Sequence, residues 1–297
     1  MIGEIWGLLK DTFFGFMADE ALSRGAAIAY FTIFSIAPLL IIVIAIAGMV
    51  FGHDAAQHTI VGQLGGLMGG QTAEALQSMI QSASDRSAGA IATMIGVGTL
   101  LLTASGAFGE IQSTLNTIWK AEPRGGLSRL VRARIAGLGL VITLGFLMLI
   151  SLVVSAGLTA LDVYLKRMFP AAHVLMPAMN LVISLGLISF LFAAVYKILP
   201  DKPIAWRDVA AGAVATALLF TIGKSLIGLY IGSSNVASSY GAAGALVLIL
   251  VWVYYSAQIF LLGAEFTHAY AVRYGSHANT KAASIRATSP RLSERRP

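Results

Sequence analysis

Four ionisable side chains of this 297-residue chain, Arg24, Glu110, Lys224 and Glu265, fall within or at the edge of long apolar runs. A charge in lipid costs about 2.5–3.5 kcal/mol on insertion scales, so each marks either chemistry or a charge pair. Glu110 lies 22 residues past Ala88 and Glu265 lies 23 past Ala242. At ~1.5 Å per residue both stand ~33 Å along their helices, and Arg24 opens its own run at the same level. The spacing predicts an Arg24–Glu110–Glu265 cluster at the inner mouth of a helix bundle, serving as a gate or an ion-coupling site. The plainer alternative is that each carboxylate snorkels to the headgroups on its own or caps a neighbour.

Lys224 stands apart, 16 residues beyond Asp208. That is ~24 Å from the inner surface, in the outer third, which places it out of reach of Glu265. Facing inward, its ammonium would hold an anionic headgroup; facing outward, it would snorkel past Tyr230. The charge-free turn Asn235, Ser238, Ser239 and Tyr240 leads into Gly241-Ala-Ala-Gly244. Such a turn either packs closely or breaks the next span to present backbone amides to an anion. Lys224, Ser239 and Tyr240 are therefore the candidate substrate contacts.

The elements that must position these groups are six apolar stretches, Ala26–Val50, Ala88–Phe108, Ile135–Ala160, Leu175–Leu199, Val209–Ile231 and Ala242–Tyr270. Each meets the ~20 residues a spanning helix needs. The composition is 57% hydrophobic and 11% charged, with a mean hydropathy of +0.79, too oily for a soluble core of this length. Sixteen of the twenty Lys and Arg residues fall on one side of this six-span arrangement, three (Arg86, Lys166, Arg167) on the other, and Lys224 lies inside a span. The bias predicts six crossings with both termini cytoplasmic. It also accounts for the pI near 9.7 without nucleic acid as a partner. Span one reads as a retained signal anchor, since Glu4, Asp11, Asp19 and Glu20 precede it where a cleavable signal is basic.

Around these spans, residues 1–23 place Ile2, Ile5, Trp6, Leu9, Phe13 and Phe16 at helical spacing. They form a short amphipathic helix that lies in the cytoplasmic interface or packs as a soluble helix on the bundle. Residues 24–273 make the transmembrane domain. Its longest external segment, 51–87, is expected to carry an amphipathic helix with Thr72 near its N-cap and Glu74, Leu76, Met79 and Ile80 following. Residues 274–297 lack apolar periodicity and read as a disordered basic tail. Gly228 and Gly232 form a GxxxG pair, read mainly as packing within the subunit, with dimerisation as the alternative. Pro38 removes a backbone donor within span one and predicts a kink.

Several chemistries are excluded. The chain has no cysteine, so disulfides and thiolate sites are absent. His53, His58, His173, His268 and His277 show no clustered ligand spacing, and neither a metal nor another cofactor is implied. Ile222-Gly-Lys-Ser225 lacks the first glycine of a phosphate-binding loop, and no serine sits in a GxSxG elbow. The chain reads as a non-enzyme.

Five blocks carry a family resemblance. They are Arg24-Gly-Ala-Ala-Ile-Ala-Tyr-Phe through Ser35-Ile-Ala-Pro38, Gly109 through Trp119, Tyr196 through Asp201 with Trp206-Arg-Asp208, Ser239 through Ala245, and Trp252 through Gln258 with Gly263-Ala-Glu-Phe-Thr267. In this order, over roughly residues 20–275, the chain resembles the YihY/BrkB membrane protein family. The resemblance implies a multi-pass protein of the bacterial inner membrane. Names attached to the family include a serum-resistance virulence factor and, historically, ribonuclease BN, and some relatives are associated with export of lipid or lipopolysaccharide precursors. The nuclease name conflicts with cytoplasmic loops that offer cations and few acids.

The sequence thus predicts an all-α, six-span bundle acting as a transporter or flippase-like protein for an anionic amphiphile. Its partners would be membrane lipids, including an anionic lipid substrate, and an oligomer is compatible with the sequence. The second reading is an envelope scaffold in which the charges fix helix packing; a membrane-bound ribonuclease ranks last.

Overall fold

Every backbone donor and acceptor within a lipid bilayer must be satisfied inside its own segment or a closed sheet, and this chain takes the helical solution. The computed structural model describes residues 2–68, 74, 76–78, 80–81, 106–121, 172–233 and 242–276. Its elements are α1 (Ile2–Ala18), α2 (Ala21–Phe51), α3 (His53–Met68), α4 (106–118), α5 (Ala172–Ile198), α6 (Trp206–Ser233) and α7 (Ala242–Arg273). No strand occurs among the described residues. Three helices are long and apolar enough to cross a membrane, Ala178–Ile198, Trp206–Ile231 and Leu246–Arg273, and Ala21–Ile36 within α2 is a shorter apolar helix. The expected run Ala88–Phe108 is described only from 106 onward, and Ile135–Ala160 lies outside the described residues, as does the tail from 277.

The centre of the bundle is the antiparallel contact of α6 with α7, flanked by α5 on α6 and by α1 and α2 on α7. Two glycine–threonine pairs let α6 and α7 approach. Thr267 of α7 lies over Gly212 of α6, and Thr216 of α6 lies over Gly263 of α7, each where a glycine β-carbon would stand. Both hydroxyls donate back to the carbonyl one turn earlier, Thr216 to Gly212 and Thr267 to Gly263, at 2.7 Å each. The polar atoms are satisfied within their own helix, so the contact surface stays apolar and close. Tyr196 of α5 completes the junction, its hydroxyl donating to the Phe260 carbonyl at 2.7 Å and lying 3.2 Å from Thr216 Oγ1.

The GxxxG pair behaves otherwise than expected. Nothing lies within 4 Å of a β-carbon built at Gly228, among the described residues, and the neighbouring Leu226, Leu229 and Tyr230 are exposed. The packing within the subunit expected at this motif is carried by Gly212, Gly223 and Gly263, because the register between α6 and α7 turns those positions toward each other.

Helix α3 was not anticipated within the 51–87 segment. Its Ile60, Val61 and Leu64 pack against the cluster holding Leu40 and Ile44 of α2, a tertiary contact that its weak one-sided patterning does not announce. Further along, residues 76–78 and 80–81 are helical, and Leu76 and Ile80 are buried against Ala29, Leu40, Ile249 and Val253. These are the apolar positions expected of that segment's amphipathic helix; Thr72 lies outside the described residues.

Helix α1 has a buried face and an exposed apolar face. Leu8, Thr12 and Phe16 are buried on one, while Ile5, Trp6, Leu9, Phe13 and Met17 are exposed on the other. It packs on α7 and then turns sharply into α2 at Asp19 and Glu20. Glu20 adopts a left-handed conformation at φ 55°, which costs a side-chain-bearing residue roughly 1–2 kcal/mol. Arg24 offsets that cost by donating from Nε to the Asp19 carbonyl at 3.0 Å, capping the end of α1.

Candidate functional site

The polar contacts of the described residues gather at the end of the bundle where this α1–α2 elbow sits. Asp201, in the α5–α6 connection, accepts from Asn116 Nδ2 at 2.8 Å and returns its backbone N–H to Asn116 Oδ1 at 2.8 Å. Lys202 Nζ donates to the Trp119 carbonyl at 3.0 Å, holding the end of α4. Lys197 donates to the Ile204 carbonyl and lies 5.5 Å from the Trp206 ring. Asp208, in the first turn of α6, accepts from Ser276 Oγ at 2.6 Å and from its backbone N–H at 3.2 Å, joining the two ends of the antiparallel pair. Asp11 of α1 binds Arg273 of α7 at 3.0 Å.

Two of the three residues expected to form the inner cluster meet. Arg24 Nη1 lies 3.8 Å from Glu110 Oε1, with both side chains 26% exposed. Arg24 therefore ties three elements at once: the end of α1 through Asp19, its own helix α2, and α4 through Glu110. The third residue, Glu265, has different neighbours. Among the described residues no ion pair joins it to Arg24; the charged groups facing it are Asp19 of the elbow and Lys120 at the end of α4.

Glu265 is 2% exposed. Its carboxyl group lies over Gly15 of α1, where a β-carbon would stand 2.5 Å from Oε2. Asp19 follows one helical turn later, its N–H bonded to the Gly15 carbonyl at 2.9 Å, which brings its carboxyl group to the side of α1 that Glu265 covers. Oε1 of Glu265 is buried with no hydrogen-bond partner among the described residues. One turn onward, the His268 ring packs edge-on against Trp119 at 5.2 Å, so α4 closes this region from the other side.

Asp19, Gly15 and Lys120 are site residues that the sequence reading missed. The available signal was the four-residue spacing Gly7, Asp11, Gly15, Asp19. It puts alternating small and acidic positions on one face of α1. In the structure Arg273 covers Gly7 and binds Asp11, while Glu265, eight residues earlier on α7, covers Gly15 and faces Asp19.

Lys224 lies on α6 about 27 Å from Trp206, at ~1.5 Å per residue. Ala217, Ile227 and Ile231, which share its side of the helix at i−7, i+3 and i+7, are all buried. Gly223 beside it packs on Ile259 and Tyr255 of α7. Lys224 is half-buried and has no carboxylate or acceptor partner among the described residues. Ser239 and Tyr240 lie outside the described residues. Among the described residues no group of three or more His, Asp or Glu side chains is arranged to hold a metal ion.

The profile of the virulence factor BrkB family matches residues 12–287, which takes in α2 to α7 and the second part of α1. The chain belongs to that family. It is similar to the UPF0761 membrane protein of Azotobacter vinelandii, 30% identical over 266 residues that make up 88% of this chain and 62% of that protein. The UPF0761 membrane protein of Psychromonas ingrahamii is 30% identical over 252 residues, 81% of this chain and 79% of its own length. That of Vibrio parahaemolyticus is 30% identical over 259 residues, 84% and 78% respectively. The chain spans about three fifths of the length of the Azotobacter relative and of a Pseudomonas aeruginosa relative, 62% and 59%. No solved structure matches it. Three of the blocks quoted above meet in space: Asn116 meets Asp201 and Tyr196 meets Gly263, while Trp119 packs on His268, just past the last block.

Proposed function

We infer that this membrane protein of the BrkB family is a carrier or flippase-like protein for an anionic amphiphile, a lipid or an envelope precursor, in the bacterial inner membrane. The observation that carries the reading is Lys224. It stands on the packed side of a membrane-crossing helix, while Arg24, Arg273, Lys197 and Lys202 at the elbow end each have a carboxylate or carbonyl partner. An ammonium held in that position without a counter-ion is costly, and an anionic headgroup supplies one. Arg24, Glu110 and Glu265 then act at the opposite end as the gate, in a six-span arrangement with both termini cytoplasmic, and no catalytic step is assigned.

Replacing Lys224 by Met keeps the apolar stem and deletes the charge. For a carrier, Lys224→Met should express and fold as wild type yet lose binding or translocation of anionic lipid in reconstituted vesicles. Unchanged lipid assays with a folded protein would favour the scaffold reading. That reading draws its support from Arg24 and Glu110, which satisfy each other and bind three elements together.

A further inference from the structure

We propose that Asp19 and Glu265 form a proton-binding carboxyl pair that ties the α1–α2 elbow to α7. Two carboxyl groups from distant parts of the chain face each other here, Glu265 is almost fully buried, and its Oε1 has no partner among the described residues. A buried carboxylate is retained when a cation is bonded to it or when hydrogen-bond donors satisfy it. Neither is present among the described residues. From α1, the surface opposite the carboxyl is the backbone of Gly15, which has no side chain to donate. From α4, Lys120 is exposed and makes no ion pair with Glu265, and along α7 the His268 ring packs on Trp119. Asp19 is thus the one acid among these neighbours, and a like charge beside a buried carboxyl group favours holding a proton there.

A single shared proton resolves the arrangement. One carboxyl keeps an O–H that donates to an oxygen of the other, so the pair carries one negative charge in place of two. The proton comes from the aqueous phase at the elbow end, where Asp19 itself is half-buried. Because Asp19 belongs to the corner that Arg24 caps, release of the proton would set two facing anions against the contact between α1 and α7. The pair is therefore a proton site coupled to the seating of α1. It stands independently of any carried lipid, since it is defined by carboxyl protonation.

The test uses the full chain in detergent or nanodiscs with dicyclohexylcarbodiimide, which adds to protonated carboxyl groups in apolar surroundings. Peptide mass spectrometry reads the modified residue. Wild type should be modified at Glu265 between pH 6 and 8, sodium should not protect it, and Glu265→Gln should abolish the modification. In Asp19→Asn the facing negative charge is gone, and modification at the upper end of this range should fall about tenfold. Difference infrared spectroscopy of the folded wild type, which does not depend on the variants folding, should show a protonated carboxyl band. Its absence, protection of Glu265 by sodium, or unchanged modification in a folded Asp19→Asn protein would each overturn the proposal.

Discussion

The carboxyl group of Glu265 rests on the backbone of Gly15, 250 positions earlier in the chain, at a spot where a β-carbon would come within 2.5 Å of Oε2. A long acidic side chain on α7 and a missing side chain on α1 are therefore complementary halves of one contact. Leucine at position 15 fits the helix better than glycine by somewhat less than the ~0.8–1.0 kcal/mol that separates glycine from alanine. It nevertheless puts a branched side chain into the volume the carboxyl group occupies. Overpacking of this kind costs about 1–3 kcal/mol. Gly15→Leu should consequently loosen α1 from α7 and raise protease cleavage at the 18–21 corner, while a Gly3→Leu control, with nothing within 4 Å of its β-carbon, should leave cleavage unchanged.

The α6–α7 junction gives a second comparison, between glycines that the sequence does not distinguish. Gly212 and Gly228 both lie in α6 with small or apolar neighbours. Among the described residues, Gly212 is covered by the Thr267 side chain and nothing lies within 4 Å of a β-carbon at Gly228. Gly212→Val should separate the helices and lower thermal stability in detergent by the equivalent of about 1–3 kcal/mol or more. Gly228→Val, with open space at its β-carbon among the described residues, should shift it by less than about 0.5 kcal/mol. Equal effects at the two positions would mean that the register of α6 on α7 is wrong.

These comparisons show where sequence reasoning reached and where it stopped. The spanning helices were legible because lipid imposes length and apolarity on each segment separately. The runs Leu175–Leu199, Val209–Ile231 and Ala242–Tyr270 correspond to α5, α6 and α7 within a few residues. Depth along a helix is local too, and it sets Arg24 level with Glu110, which it meets. Helix rotation and the direction of the chain at Glu20 are not local, and together they decide that Asp19 lies beside Glu265. Contacts such as Asn116 with Asp201, 85 residues apart, and the choice of Gly212 over Gly228 depend on tertiary register, which leaves no mark on composition or periodicity.

The pairing of Arg24 with Glu110 supports a third expectation. Arg24→Ala removes the cation beside Glu110 and also the donor that caps the Asp19 carbonyl, so α1, α2 and α4 lose a common tie. Both side chains are about three-quarters buried. The loss should lie between the ~1 kcal/mol of a surface pair and the ~3–5 kcal/mol of a fully buried one. Glu265→Gln keeps the shape of a side chain that has no cation bonded to it, so its cost should be smaller. A double-mutant cycle isolates the pair: if Arg24 and Glu110 act together, the combined Arg24→Ala and Glu110→Ala protein should be more stable than the sum of the single losses implies. Coupling no greater than the ~0.3–0.5 kcal/mol typical of independent sites would show that the two charges are held at this depth separately, each by its own contact with water or headgroups.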